Sequence, residues 1–214
     1  MAQKTQAHDW PYLNKYKKEN AAIKDAEIGK RRVVFMGDSI TEFWPTVNAN
    51  FFQGKPYINR GISGQTTPQM LLRFRADVIN LKPALVVILA GGNDIAGNTG
   101  PSTLEMIQNN IFSMIELAQA NGIKVVLCSV LPANYFYWKP KEKPADTIIA
   151  LNKNIEHYTE SYNITYVDYY SVMVDDKKGL PLTYSNDGVH PNKAGYQVME
   201  PLVEKAIQFT LATQ

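Results

Sequence analysis

The sequence predicts one three-layer α/β domain built around a parallel sheet, and three observations predict it. Short apolar runs recur along the chain, segments of helical period separate them, and polar or Gly-rich turns follow several of the runs. Parallel strands need crossover helices that cover both faces of the sheet, so their strands read as continuous apolar runs instead of alternating ones. The chain has 214 residues, of which 45% are apolar and 20% charged. That composition can fill a single core and lacks the low-hydrophobicity, high-charge signature of disorder.

Taken in order, residues Trp10 to Gly29 read as a charged lead-in helix. Trp10, Leu13, Tyr16 and Ile23 would form one apolar stripe docking it on the body. The expected organisation is therefore a lead-in segment over residues 1–30 and a main domain over 31–214. Strands are expected at Val33 to Met36, Pro56 to Asn59, Leu85 to Ala90, Val125 to Val130 and Ile164 to Val167. Five such strands suit a flavodoxin-like order. The clearest helix runs from Ser102 to Ala120. Ser102 and Glu105 form a capping box, Leu104, Ile107, Ile111, Ile115 and Ala118 share a face, and Asn121-Gly122 stops it. The sequence holds no internal repeat and no low-complexity tract.

Composition also narrows function. The net charge of +2 comes from scattered Lys and Arg, so no nucleic acid or other polyanion is expected as a partner. The longest apolar run, Ala84 to Ala90, is far short of the roughly 20 residues that span a bilayer, so no membrane span is expected. Cys128 is the only cysteine, and its apolar neighbours suggest a buried thiol. The chain opens without a hydrophobic leader, which implies a cytoplasmic protein if the chain is complete and an exported one if a leader was trimmed.

In open α/β sheets the ligand site lies outside the carboxyl ends of the strands. Four unusual segments fall there: Gly37-Asp38-Ser39, Arg60-Gly61-Ile62-Ser63-Gly64, Gly91-Gly92-Asn93-Asp94, and the stretch before the last helix. Ser39 follows a strand and opens a helix, which would set its hydroxyl at the positive end of a helix dipole. Taken alone, Ser39-Ile40-Thr41-Glu42 is also a capping box, with Ser39 as N-cap. A nucleophilic serine needs a base within reach and an orienting partner for that base. Of the three histidines, His8 lies near the terminus and His157 in a helical stretch, where a solvated role is expected. His190 stands in Asp187-Gly188-Val189-His190-Pro191, where Pro191 in the first helical turn would fix the histidine on the preceding loop and Asp187 could fold back onto it. A metal held by Asp38, Asp94, Asp187 and His190 would lack compact ligand spacing. Gly91-Gly92-Asn93-Asp94 could also be read as a phosphate-cradling turn, although no Gly-x-Gly-x-x-Gly motif or P-loop lysine accompanies it.

Gly37-Asp38-Ser39-Ile40, Gly61 within Asn59-Arg60-Gly61-Ile62-Ser63-Gly64, Gly91-Gly92-Asn93-Asp94 and Asp187-Gly188-Val189-His190 resemble the four blocks of the SGNH (GDSL) hydrolases, in family order. Ile40 replaces the leucine of the family's name, and the second block rests on one glycine. The resemblance implies an α/β/α fold and an acyl-enzyme mechanism without metal or organic cofactor. It makes Ser39 the nucleophile, His190 the general base and acid, and Asp187 the group that orients the imidazole. The oxyanion would be held by the backbone N–H groups of Ser39 and Gly61 and the side-chain amide of Asn93. Asp38 and Asp94 are expected to shape the loops. The wording Gly-Asp-Ser-Ile-Thr-Glu and Arg-Gly-Ile-Ser-Gly is similar to bacterial acylhydrolases of the platelet-activating-factor acetylhydrolase and lysophospholipase-like kinds. The expected partner is a small ester, with an acetylated sugar as one candidate and a longer-chain lysophospholipid or thioester as the alternative. A nucleotide- or glycan-binding module without hydrolysis is the alternative of another class. Tyr135, Phe136, Tyr137 and Trp138, in the long segment Leu131 to Pro144 after the fourth strand, are candidates for the substrate rim. Phe43 and Trp44 carry the same double reading of rim or core.

Overall fold

The computed structural model describes residues 9–25 and 31–213. In chain order these form α1 (Lys17–Asp25), β1 (Val33–Gly37), α2 (Ser39–Val47), β2 (Tyr57–Gly61), α3 (Thr67–Asp77), β3 (Leu85–Leu89) and α4 (Gly92–Ile95). There follow α5 (Leu104–Ala120), β4 (Lys124–Cys128), α6 (Ala145–Ser161), β5 (Thr165–Val167), α7 (Tyr170–Met173) and α8 (Lys193–Ala212). All four strand pairings are parallel and the order is β2-β1-β3-β4-β5, the flavodoxin-like order that the sequence predicts. Because every strand runs the same way, the segments after β1, β2, β3, β4 and β5 emerge at one edge.

Strand side chains alternate between two cores, as the period of two requires. Val34, Met36, Val86 and Ile88 point to one face, where Met70 and Phe74 of α3, Ile107 and Ile111 of α5, and Leu151 and Ile155 of α6 cover them. Val33, Phe35, Leu85 and Val87 point to the other, against Ile40 and Trp44 of α2 and Tyr196, Met199 and Val203 of α8. The result is a helix–sheet–helix sandwich whose strands are buried on both sides. Cys128 is buried among apolar groups, and burial pushes its thiol up to about 12, which leaves it unreactive.

Three local expectations shift. The lead-in helix covers only Lys17–Asp25 within the described residues, and the expected stretch 26–29 lies outside them. Before Lys17 the chain turns, with the Asp9 carboxylate accepting from the Leu13 and Asn14 amides and Tyr12 at φ 58°, so Trp10 and Leu13 face solvent while Tyr16 is buried. The N-cap of α5 is Thr103, whose hydroxyl accepts from the Met106 amide at 3.2 Å, in place of the expected Ser102. Pro191 precedes the last helix instead of standing in its first turn, because Asn192 takes the N-cap and accepts from Gly195 at 3.0 Å.

A buried polar strut lies under the site edge. Arg73, fully buried in α3, pairs with Asp77 at 3.0 Å, reaches the Gly37 carbonyl at the end of β1 at 3.1 Å, and donates to the Gln65 side chain. Removing one partner of a buried pair leaves the other charge unpaired, which typically costs about 3–5 kcal/mol. Arg73→Met should therefore lower unfolding stability by about 3 kcal/mol or more in urea melts. Arg73→Met combined with Asp77→Leu should recover much of that loss. A single variant within about 1 kcal/mol of the parent would show that the strut carries little.

Candidate active site

The turn Gly37-Asp38-Ser39 joins β1 to α2. The capping position falls to Asp38, not to Ser39: the Asp38 carboxylate accepts from the Ile40 amide at 3.0 Å, and Glu42 turns outward to Lys15 and to the Ser63 amide. With the cap taken by its neighbour, Ser39 becomes the first helical residue and its hydroxyl is free for another partner. That partner is His190, whose Nε2 lies 2.9 Å from Ser39 Oγ. The Tyr196 hydroxyl of α8 donates to the Ile40 carbonyl at 2.7 Å and ties the start of α2 to the helix that follows His190.

His190 is held by the tight turn that precedes α8. Asp187 Oδ2 lies 2.7 Å from His190 Nδ1, while Oδ1 accepts from the backbone amides of Val189 at 2.9 Å and His190 at 2.8 Å. The carboxylate assigns the imidazole proton to Nδ1 and leaves Nε2 as the acceptor facing Ser39. Partial burial raises the Asp187 carboxyl, but the imidazole and the two amides outweigh it and hold it below the usual carboxylate range. Ser185, fully buried, accepts from the Gly188 amide at 2.9 Å, and its hydroxyl lies 2.8 Å from the His190 carbonyl. Gly188 sits at φ 77°, and a Cβ there would come within 3.0 Å of the Tyr135 ring. In the sequence nothing but its place two residues before Asp187 signals Ser185.

Asn93 lies in α4, directly after β3. Its Nδ2 faces Asp38 Oδ2 at 3.2 Å and the Gln65 carbonyl at 3.1 Å, both at the long end for hydrogen bonds. Asp94 turns away and accepts from the amide of Thr67 and from its hydroxyl, pinning the start of α3. Burial pushes Asp38 and Asp94 each up to about 6, against the hydrogen bonds that favour their charged forms.

The Gly61 N–H, expected to face the oxyanion, donates to the side chain of Asn59 at 2.9 Å. The glycine is required for packing: a Cβ at 61 would meet the Glu42 amide nitrogen at 2.1 Å and the Asp38 carbonyl at 2.7 Å. Gly64, three residues on, has φ 76° and open space where a Cβ would be, and among the described residues its N–H has no acceptor. The Gly64 carbonyl and the Asn93 side chain both take hydrogen bonds from Asn98, at 3.3 and 2.7 Å, so this glycine borders Asn93.

The loop after β4 lies over the same edge. Phe136 is buried, Tyr135 and Tyr137 are exposed, and the Tyr137 and Trp138 rings each sit 6.5 Å from the His190 ring. Phe43 is half-exposed at 5.8 Å from that ring, whereas Trp44 belongs to the core. Leu131, Ala133, Phe136, Trp138, Ile148 and Val189 enclose a largely apolar pocket of about 30 Å³ that opens on Ser39 and Asn93. His157 is exposed on α6, far from this edge in the fold, and His8 lies outside the described residues. Among the described residues no three His, Cys, Asp or Glu side chains converge as metal ligands, and no helix is long and apolar enough to cross a membrane.

Residues 35–198 match the sequence model of the GDSL-like lipase/acylhydrolase family, which covers all of the segments just described except the last turns of α8 and the lead-in. The chain belongs to this family. A solved structure from Bacteroides fragilis assigned as an acylhydrolase is 49% identical, superimposes with a TM-score of 0.93, and covers 96% of this chain and 100% of its own. Esterase TesA of Pseudomonas aeruginosa is 44% identical over 79 residues, 36% of this chain. An acetylxylan esterase of Xylanibacter ruminicola is 26% identical over 176 residues, 70% of this chain. The chain spans only 38% and 35% of the length of these two curated relatives.

Proposed function

We propose that this GDSL-family protein is a serine esterase that removes a small acyl group, acetyl in the first instance, from a carbohydrate or other alcohol. The observation that carries the reading is the hydrogen-bonded chain Ser39 Oγ, His190 and Asp187, at 2.9 and 2.7 Å, set at the mouth of a small apolar pocket. In this reading Ser39 Oγ attacks the acyl carbonyl carbon as His190 Nε2 takes the hydroxyl proton. The C–O bond to the alcohol breaks as the same proton passes to the leaving oxygen. Water then attacks the acyl-enzyme, giving its proton to His190, and the acid leaves as Ser39 regains a proton. Asp187 stays ionised throughout and stabilises the imidazolium.

The tetrahedral oxyanion would be met by the N–H of Ser39, the N–H of Gly64 and Nδ2 of Asn93. Asn93 must share or give up one of its two long bonds to Asp38 and Gln65 to do this. A charged oxygen competes for that proton better than a neutral carbonyl oxygen does, so the interaction strengthens as the transition state forms. The pocket supports the small acyl group. One water needs roughly 10–15 Å³, so a pocket of about 30 Å³ favours a short acyl group over a long alkyl chain. The acetylxylan esterase among its relatives and the exposed rings of Tyr135 and Tyr137 beside the site support an acetylated sugar as the alcohol half.

Hydrolysis of p-nitrophenyl acetate, butyrate and octanoate tests this. We expect kcat/KM to fall by more than about tenfold from acetate to octanoate, since misfit of even one methylene is worth about 1–3 kcal/mol. Values that rise with chain length would favour a lysophospholipase or thioesterase. Absence of turnover on all three, with glycan or nucleotide binding intact, would favour a binding module.

A further inference from the structure

A side-chain amide has two faces of opposite sign, one a donor and one an acceptor, and rotation by half a turn exchanges them. Asn93 helps the proposed reaction only while its NH₂ faces the substrate oxygen. With the carbonyl there instead, the site would repel the charge it must hold. Two contacts outside the reacting groups bear on this choice. Asn98 Nδ2 donates to Asn93 Oδ1 at 2.7 Å, and Trp138 Nε1 donates to Asn98 Oδ1 at 3.0 Å. An indole N–H is a donor only, so it admits no flip. It therefore fixes the polarity of Asn98, and Asn98, donating to Oδ1 while Asp38 Oδ2 and the Gln65 carbonyl take Nδ2, holds the Asn93 amide in one orientation from its other side.

We propose that Asn98 and Trp138 are positioning residues that, together with the acceptors on Nδ2, hold the Asn93 amide with its NH₂ toward the substrate. The proposal rests on the reading that Asn93 holds the oxyanion. It gives Trp138 two tasks, because the same ring walls the small pocket beside Ser39. Occupation of the pocket and orientation of the amide are thus linked through one side chain of the loop after β4. Asn98 is exposed at the surface end of the chain, so its substitution should leave the core intact.

The test compares kcat and KM on p-nitrophenyl acetate for Asn93→Ala, Asn98→Ala, Asn98→Asp and Trp138→Phe. Asn98→Asp keeps the shape of the side chain but turns an acceptor toward Asn93 Oδ1, so it opposes the orientation that Asp38 and Gln65 favour and displaces the amide from the oxyanion. Its kcat should fall by about 10²-fold, near the loss for removing an oxyanion donor outright. Asn98→Ala frees the amide without displacing it and should lose less, about tenfold. Trp138→Phe adds no charge and keeps a ring in the wall, and it should lower kcat by a similar several-fold with KM within about threefold of the parent. A packing role predicts the reverse order, with the isosteric acid milder than the truncation. That reverse order would overturn the proposal. So would a loss in Asn98→Asp that 0.5 M salt relieves while Trp138→Phe keeps parental kcat, since plain charge repulsion is screened. Parental kcat in Asn93→Ala would instead sink the underlying reading of Asn93, whatever the other variants do.

Discussion

Ser39→Ala should lower kcat on p-nitrophenyl acetate by about 10⁵–10⁶-fold and leave the fold almost unchanged. The size follows from the proposed chemistry: without Oγ there is no acyl-enzyme, and only transition-state contacts and substrate binding remain to accelerate attack by water. The small structural effect follows from the geometry. The cap of α2 is the Asp38 carboxylate and not the serine hydroxyl, so alanine at 39 removes no capping bond and places a good helix former at the first helical position. The urea midpoint should therefore stay within the equivalent of about 1 kcal/mol. The two readouts together separate the roles. A cap would cost stability and little rate, a nucleophile costs rate and little stability. Retention of more than about 1% of parental kcat would remove Ser39 from the reaction.

That division between Asp38 and Ser39 also shows where the sequence stops being legible. The five strands are readable because strands buried on both faces must be apolar throughout, and each expected run overlaps an observed strand. The His190 loop is readable because Asp187, Gly188 and Pro191 restrict the backbone locally. Which of two adjacent side chains caps α2 is different. Asp and Ser are equally good caps, and the choice falls to Asp38 in a structure where distant segments bring the partners: the His190 loop, about 150 residues away, an imidazole for the hydroxyl, and Asn93 of α4 an amide for the carboxylate. Glycine carries a related ambiguity. Gly61 is glycine because the backbone of α2 leaves no room for a Cβ, and Gly64 because its φ is 76°. A sequence records the missing side chain in both cases and the reason in neither. The turns before α1 have the same origin: the Asp9 carboxylate and contacts to Gln65 and Gln69 hold the Trp10–Leu13 stretch in a shape that its apolar spacing does not announce.

Asp187→Asn should reduce kcat by about 10⁴-fold, although it changes only one atom of the side chain. Oδ1 of Asp187 accepts from the Val189 and His190 amides, and only the carbonyl oxygen of an asparagine can take that place. The NH₂ group is then directed at His190 Nδ1, where it donates. The imidazole proton is driven to Nε2, the nitrogen that must receive the Ser39 proton, and the base is disabled with its position intact. The same substitution has a second signature in stability. The Asp187 carboxyl is held below its usual range by the imidazole and the two amides, so its stabilising effect is present above the unfolded value of about 3.9 and fades as pH falls through the folded value. The parent should exceed the variant in urea midpoint at pH 7, and the gap should begin to narrow as pH falls below about 3.9. The rate deficit behaves otherwise: it follows from the misplaced imidazole proton and should persist at pH 7 and above. A variant with kcat within about tenfold of the parent would mean that Asp187 shapes the turn and does not govern the tautomer.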